Sequence, residues 1–138
     1  MSALARYFKA KGSYVAGYDR TSTELTKTLE NEGVEVNYKD DVDSIPETIL
    51  NNQENTLIVY TPAVPKDSKQ FVHLKDNFNL VKRAELLGMV THQKFCLAVA
   101  GTHGKTTTTA ILGHLLKETG AKVTAFLGGI SEDIQSNL

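Results

Sequence analysis

The chain has 138 residues and a mass of 15.1 kDa, the size of one ordinary domain, and 41% of its residues are apolar before ten glycines are counted, which excludes a disordered chain. Fifteen Lys and Arg against sixteen Asp and Glu leave a formal charge of −1, so no global field draws it onto nucleic acid or anionic lipid, and any polyanion must be held locally. A single cysteine excludes a disulfide scaffold, and no apolar run approaches the ~18 residues of a membrane helix.

The first eleven residues carry Met1, Leu4, Ala5 and Phe8 at the spacing of one helix face, and Gly12 is a natural stop. The same segment lacks the basic, apolar and small-residue order of a signal peptide, so a soluble cytoplasmic chain is expected. Tyr14 to Tyr18 reads as a strand ending at Asp19. Thr21 or Ser22 caps the next helix, in which Leu25 and Leu29 share a face, and Gly33 ends it. Val34, Val36 and Tyr38 alternate as in a half-buried strand, before an acidic turn from Lys39 to Asp43 that suits a solvated loop better than a metal site. Ser44-Ile45-Pro46-Glu47 starts a helix that points Ile49 and Leu50 inward, and Thr56 to Thr61 is a β-rich run closed by Pro62 and Pro65.

Phe71, Leu74 and Phe78 mark a helix over 68–78, Leu80 to Lys82 a short strand, and Ala84 to Val90 a short helix. Lys94 to Ala100 is strand-like, and there Cys96, between Phe95 and Leu97, is expected to be a small buried hydrophobe. A helix from Lys105 to Thr119 carries Ile111, Leu112, Leu115 and Leu116 and stops at Gly120; Val123 to Leu127 is the last strand, with Gly128-Gly129 turning away. Alternating strands and helices imply a parallel sheet. The polar interruption His92-Gln93-Lys94 places a border there, which divides the chain into residues 1–92 and a second piece, 93–138, expected to be an incomplete domain.

The stretch from Ala98 to Thr109 carries the most chemistry: an apolar run enters a glycine loop and then an amphipathic helix. Backbone N–H groups of Gly101, Thr102, His103 and Gly104 and the positive end of the helix suit a phosphate. Lys105 supplies a point charge for β- and γ-phosphates, and the Thr106 hydroxyl suits Mg²⁺. The strict phosphate-loop pattern would need glycine where Val99 stands, so the loop is a variant. A plain glycine turn capping a helix is the competing reading. His103 either orients a phosphate or faces solvent, and His73, His92 and His114 show no metal-ligand spacing. Four consecutive threonines, Thr106 to Thr109, are poor helix formers, which favours a role for their hydroxyls.

At this loop the chain resembles the Mur ligases of bacterial cell-wall synthesis, whose ATP loop reads G-T-x-G-K-[TS]-T; Gly101-Thr102-His103-Gly104-Lys105-Thr106-Thr107 fits it throughout. Thr61-Pro62-Ala63-Val64-Pro65, Arg83-Ala84-Glu85-Leu86-Leu87-Gly88 and Phe126-Leu127-Gly128-Gly129-Ile130 extend the likeness along the chain. The resemblance implies an α/β fold: a Rossmann-like parallel-sheet domain binding a UDP-sugar over 1–92, followed over 93–138 by the start of a P-loop ATPase domain. In the family a strand and a loop of the form G-x-G-G-x-G-M-S come first, and this chain starts at the Met1-Ser2 that closes that pattern. The usual first strand is therefore expected to be missing, and sheet edges are left where another chain could pair.

The activity implied is ATP- and Mg²⁺-dependent joining of L-alanine to UDP-N-acetylmuramate through an acyl phosphate. Lys105 would be catalytic, Gly101 to Thr107 would bind ATP and Thr106 would ligate the metal. Substrate-side candidates are Asp19, Thr61, Pro62, Ala63 and Arg83, where strand ends face the crevice in which parallel sheets bind ligands. Asp19 as a capping turn and Arg83 as a surface charge are the plain alternatives. Two other readings are attachment of a recycled tripeptide to the same nucleotide sugar and a nucleotide-binding module that does not turn over, which is the state expected of the 138 residues by themselves.

Overall fold

In the computed structural model, residues 1–92 and 94–127 are described; Gln93, at the border read from the sequence, and the Gly128-Gly129 turn lie outside them. Contacts divide the chain into two units, Tyr14–Phe95 and a second that joins Met1–Ser13 to the segment from Cys96 onward.

The Tyr14–Phe95 unit is built from two parallel strand pairs. Strand β1 (Ala16–Tyr18) lies beside β2 (Glu35–Asn37), with Ala16 opposite Glu35 and Tyr18 opposite Asn37. Strand β3 (Ile58–Tyr60) lies beside β4 (Leu80–Lys82), with Ile58 opposite Leu80 and Tyr60 opposite Lys82. A parallel pair needs a crossover, and a helix supplies it each time: α2 (Glu24–Asn31) between the first two strands and α4 (Lys69–Asn77) between the second two. A one-turn helix α3 (Glu47–Leu50) starts behind Pro46, and α5 (Arg83–His92) follows β4 directly.

Helix α2 begins one residue later than the Thr21 or Ser22 cap read from the sequence allows. Thr23 is the cap, because its hydroxyl accepts from the Thr26 amide at 3.2 Å while the Thr26 hydroxyl accepts from the Thr23 amide at 2.8 Å. This is a capping box with threonine in the place usually held by Glu or Gln. The apolar core consists of Leu29, Val34, Ile45 and Leu86, and buried Thr26, Ser68 and Gln70 are all hydrogen-bonded. Gln70 is the densest knot: its side-chain amide donates to the carbonyls of Lys39 and Asp41 and to Asn37 Oδ1, at 2.8, 3.1 and 3.2 Å. The acidic turn is thus fastened to α4, and no group of three or more metal-ligating side chains exists among the described residues.

The other unit contains α1 (Ser2–Ala10) and α6 (Lys105–Glu118). Among its described residues Leu4 and Leu127 are the buried apolar side chains, and Ser2 is also buried. Gly12 and Gly120 end these helices, as Gly33 ends α2, with φ between +81° and +87°. Two expected strands do not form: Lys94–Ala100 and Val123–Leu127 have no ladder partner among the described residues, since a strand needs a neighbour that local β-propensity cannot supply. For the same reason Cys96 is exposed, not buried. Helix α6 turns Thr109, Leu112, Gly113 and Leu116 inward, the i, i+3, i+4, i+7 face, and leaves Ile111 and Leu115 more than half exposed.

Candidate functional site

Ala98 to Ala100 run without ladder bonds into a bend over Gly101, Thr102 and His103, and Gly104 then heads α6 as its N-cap. Gly104 has φ +75°, ψ −1°, a left-handed conformation that side chains with a Cβ adopt at a cost. At Gly101, with φ +154°, an added Cβ would sit 3.4 Å from the His103 carbonyl oxygen, so the loop folds back on itself within van der Waals distance. Having no side chain, Gly104 makes no capping bond, and the first N–H groups of an α-helix have no partner inside it. Lys105, Thr106 and Thr107 form that first turn, all exposed.

The Lys105 ammonium reaches back over the loop and donates to the carbonyls of Gly101 at 2.6 Å and Thr102 at 3.1 Å. The loop therefore holds its cation beside the helix N-terminus, where charge and dipole act on the same space. Thr109 spends its hydroxyl on the Lys105 carbonyl at 2.8 Å, whereas the Thr106 hydroxyl is on the exposed first turn. This donor set suits a polyphosphate: backbone amides, one ammonium, one hydroxyl for a hard cation, and no carboxylate in the loop or first turn to repel it.

The remaining candidates belong to the Tyr14–Phe95 unit, and each follows the carboxyl end of a parallel strand. Asp19 leaves β1 with its amide on the Asn37 carbonyl, and its Oδ1 accepts from the Thr21 amide at 3.1 Å, an Asx turn. Thr61, Pro62 and Ala63 leave β3 in a turn closed by the Val64 amide on the Thr61 carbonyl. Arg83 leaves β4 as the first residue of α5 and is exposed. Because Tyr60 is opposite Lys82, the register brings Thr61 and Arg83 to the same end of one strand pair, while Asp19 stands at the end of the other. Sequence reasoning missed Asp40. Its carboxylate receives the Ser68 hydroxyl and the Lys69 and Gln70 amides at the head of α4, and its only local signal was its place in an acidic turn.

Residues 1–95 match the family described as Mur ligase family, catalytic domain. The chain belongs to the Mur ligase family. Among curated relatives it is 86% identical over 139 aligned positions to a UDP-N-acetylmuramate--L-alanine ligase of Christiangramia forsetii and 53% identical to that of Flavobacterium psychrophilum, in each case along all of this chain. The chain spans about 31% of the length of both relatives. A solved UDP-N-acetylmuramate-alanine ligase from Thermotoga maritima superposes with a TM-score of 0.84 at 31% identity, over 99% of this chain and 31% of that one. A UDP-N-acetylmuramate:L-alanyl-gamma-D-glutamyl-meso-diaminopimelate ligase from Neisseria meningitides shares the fold with a TM-score of 0.72 at 23% identity, over 96% of this chain and 44% of that one.

Proposed function

We propose that the chain is the nucleotide-handling portion of an ATP-dependent ligase that joins L-alanine to UDP-N-acetylmuramate in the cytoplasm, during peptidoglycan precursor synthesis. The observation that carries this is the loop itself, Gly101 to Thr107, with its left-handed Gly104 cap and the Lys105 ammonium folded back over it, in a chain 86% identical to such a ligase. Residues 1–92 form the Rossmann-like part that binds the nucleotide sugar, and residues 93–138 contribute the P-loop of the ATP-binding part.

Mg²⁺ and ATP, when bound, supply charge neutralisation and a transferable γ-phosphoryl group. The chain's own residues do the positioning. The amides of Gly101 to Thr107 orient the phosphates, Lys105 offsets the charge of the group being transferred, and Thr106 presents a hydroxyl to the metal. Asp19, Thr61, Pro62, Ala63 and Arg83 face the sugar nucleotide, with Arg83 paired to its phosphate or carboxylate. With ATP bound, the substrate carboxylate would attack the γ-phosphorus as ADP leaves, and the alanine amine would then displace inorganic phosphate from the resulting acyl phosphate.

Isothermal titration of the chain with Mg-ATP and with UDP-N-acetylmuramate tests this reading. Saturable binding of both supports it; binding of neither removes the assignment from these residues. Sedimentation over a wide concentration range tests a second partner, another copy pairing at the outer edges of the two-stranded sheets, which a strictly monomeric chain would exclude.

A further inference from the structure

The two strand pairs of the Tyr14–Phe95 unit share no ladder among the described residues, yet the sugar-nucleotide candidates are divided between them. Asp19 follows β1, whereas Thr61 to Ala63 follow β3 and Arg83 follows β4. Six hydrogen bonds run from β2 and the loop behind it to the head of α4, and each involves Asp40 or the Gln70 side chain. Gln70 is only 5% exposed, and its side-chain amide donates to the carbonyls of Lys39 and Asp41 and to Asn37 Oδ1. Asn37 is the last residue of β2: its carbonyl accepts the Asp19 amide at 3.1 Å, and its side-chain amide donates to the Ser44 carbonyl at 2.9 Å. One residue therefore holds Asp19 with its backbone and Gln70 with its side chain. From Gln70 the other branch leads back to Ser68, whose amide donates to the Pro65 carbonyl at 3.2 Å, and the Val64 amide closes the preceding turn on Thr61 at 3.1 Å. Asp19 and Thr61, each at the carboxyl end of its strand, thus meet in a single buried knot.

We propose that Gln70 is a positioning residue for the sugar nucleotide: it fixes the spacing between Asp19, at the end of β1, and Thr61 to Ala63, at the end of β3. This rests on the functional reading above, which supplies the ligand. Apolar packing alone would hold two strand pairs together without setting their separation, because it is non-directional, whereas a buried amide with directional bonds admits one arrangement. Being buried, Gln70 acts through Asn37 on one side and Ser68 on the other.

The test is Gln70→Glu, which keeps the side chain's size but puts an acceptor where Gln70 offers hydrogens. Titrated under conditions in which circular dichroism shows the variant folded, affinity for UDP-N-acetylmuramate should fall by about three- to tenfold, the range of one or two hydrogen bonds, while affinity for Mg-ATP stays within twofold. Tyr14→Phe, which breaks the bond to Glu35 at the opposite end of the same strand pair, should leave both affinities within twofold. An unchanged affinity for the sugar nucleotide in Gln70→Glu overturns the proposal, as does an equal loss of both ligands or an equal loss in Tyr14→Phe. Should Gln70→Glu not fold, Gln70→Met, of similar length and without the amide, takes its place; failure of both to fold makes Gln70 a requirement of folding and overturns a positioning role. If the unaltered chain does not bind UDP-N-acetylmuramate, the functional reading fails, and amide exchange decides the positioning by itself. Exchange at Asp19 and Val64 must then accelerate in the Gln70 variant relative to the amides of α2; unchanged or uniformly raised rates overturn it.

Discussion

The Asp40 carboxylate accepts the Ser68 hydroxyl at 2.8 Å across 28 residues of sequence, and this bond ties the loop after β2 to Ser68, the N-cap of α4, whose hydroxyl in turn accepts from the Phe71 amide. The same carboxylate takes the amides of Lys69 and Gln70 at 3.3 and 3.1 Å. Burial works against its ionisation, but the bonds from Gln70, Ser68 and Lys69 and the charge of Lys69 outweigh it, and the carboxyl titrates below its ordinary 3.8. Asp40→Ala should lower stability by about 1–2 kcal/mol, the worth of a lost helix cap. In the folded chain the group holds its charge to lower pH than in the unfolded one. Its contribution is therefore complete above the ordinary carboxylate range and lost as pH falls through the lowered folded value. Urea midpoints of the two proteins, compared from pH 6 downward, should converge in acid; a constant gap would contradict the assignment.

Tyr14 gives the opposite sign. Its hydroxyl donates to Glu35 Oε2 at 2.5 Å; burial, this bond and the Glu35 charge push its pKa from 10 up to about 12. The unfolded chain loses this proton first, so the stabilisation is complete below pH 10 and disappears as pH rises towards 12. A spectrophotometric titration of the five tyrosines should show one late phenolate, and Tyr14→Phe should remove that phase alone.

Lys105 can be separated from the strand ends by binding. Lys105→Ala deletes an ammonium aimed across the loop but leaves Asp19 and Arg83 in their own unit. Affinity for Mg-ATP should fall by roughly tenfold to a hundredfold, the range for hydrogen bonds to charged groups, while affinity for UDP-N-acetylmuramate stays within twofold. Calorimetry reads both, and equal losses would sink the division of labour between residues 1–92 and 93–138.

Gly104 isolates backbone geometry from chemistry. A Cβ there would meet the Thr108 hydroxyl at 3.9 Å, an ordinary contact, so the penalty of Gly104→Ala comes from φ +75° alone. It should destabilise the chain by about 1 kcal/mol, and Gly104→Asn by less, since asparagine tolerates the left-handed region. Thermal melts of the three proteins would show the order Gly, Asn, Ala; alanine equal to glycine would mean that the cap is not left-handed in solution.

Most elements were legible because their signals are local. The Met1, Leu4, Ala5, Phe8 spacing gave α1, Leu80–Lys82 emerged as β4 with the bounds expected of it, and the Gly-Thr-His-Gly-Lys run led into α6 at Lys105. Helical period and glycine stops act within a few residues, so a single sequence displays them. Apolar character in Lys94–Ala100 and Val123–Leu127 was equally visible, but pairing is a property of two segments, and neither run has a ladder partner among the described residues. Cys96 is exposed for that reason.

The amino-acid sequence by itself determined the order of the helices and of the four paired strands, the glycine loop that leads into α6 and the family to which the chain belongs. Only the tertiary structure decided that Asp40 accepts the Ser68 hydroxyl and the first amides of α4, that Gln70 binds the acidic turn, and that Tyr7 packs on Phe126. The physical reason is range. Backbone dihedrals and side-chain periodicity are fixed by neighbours a turn away, whereas a hydrogen bond or ring contact between distant residues exists only once packing has brought both partners to one place.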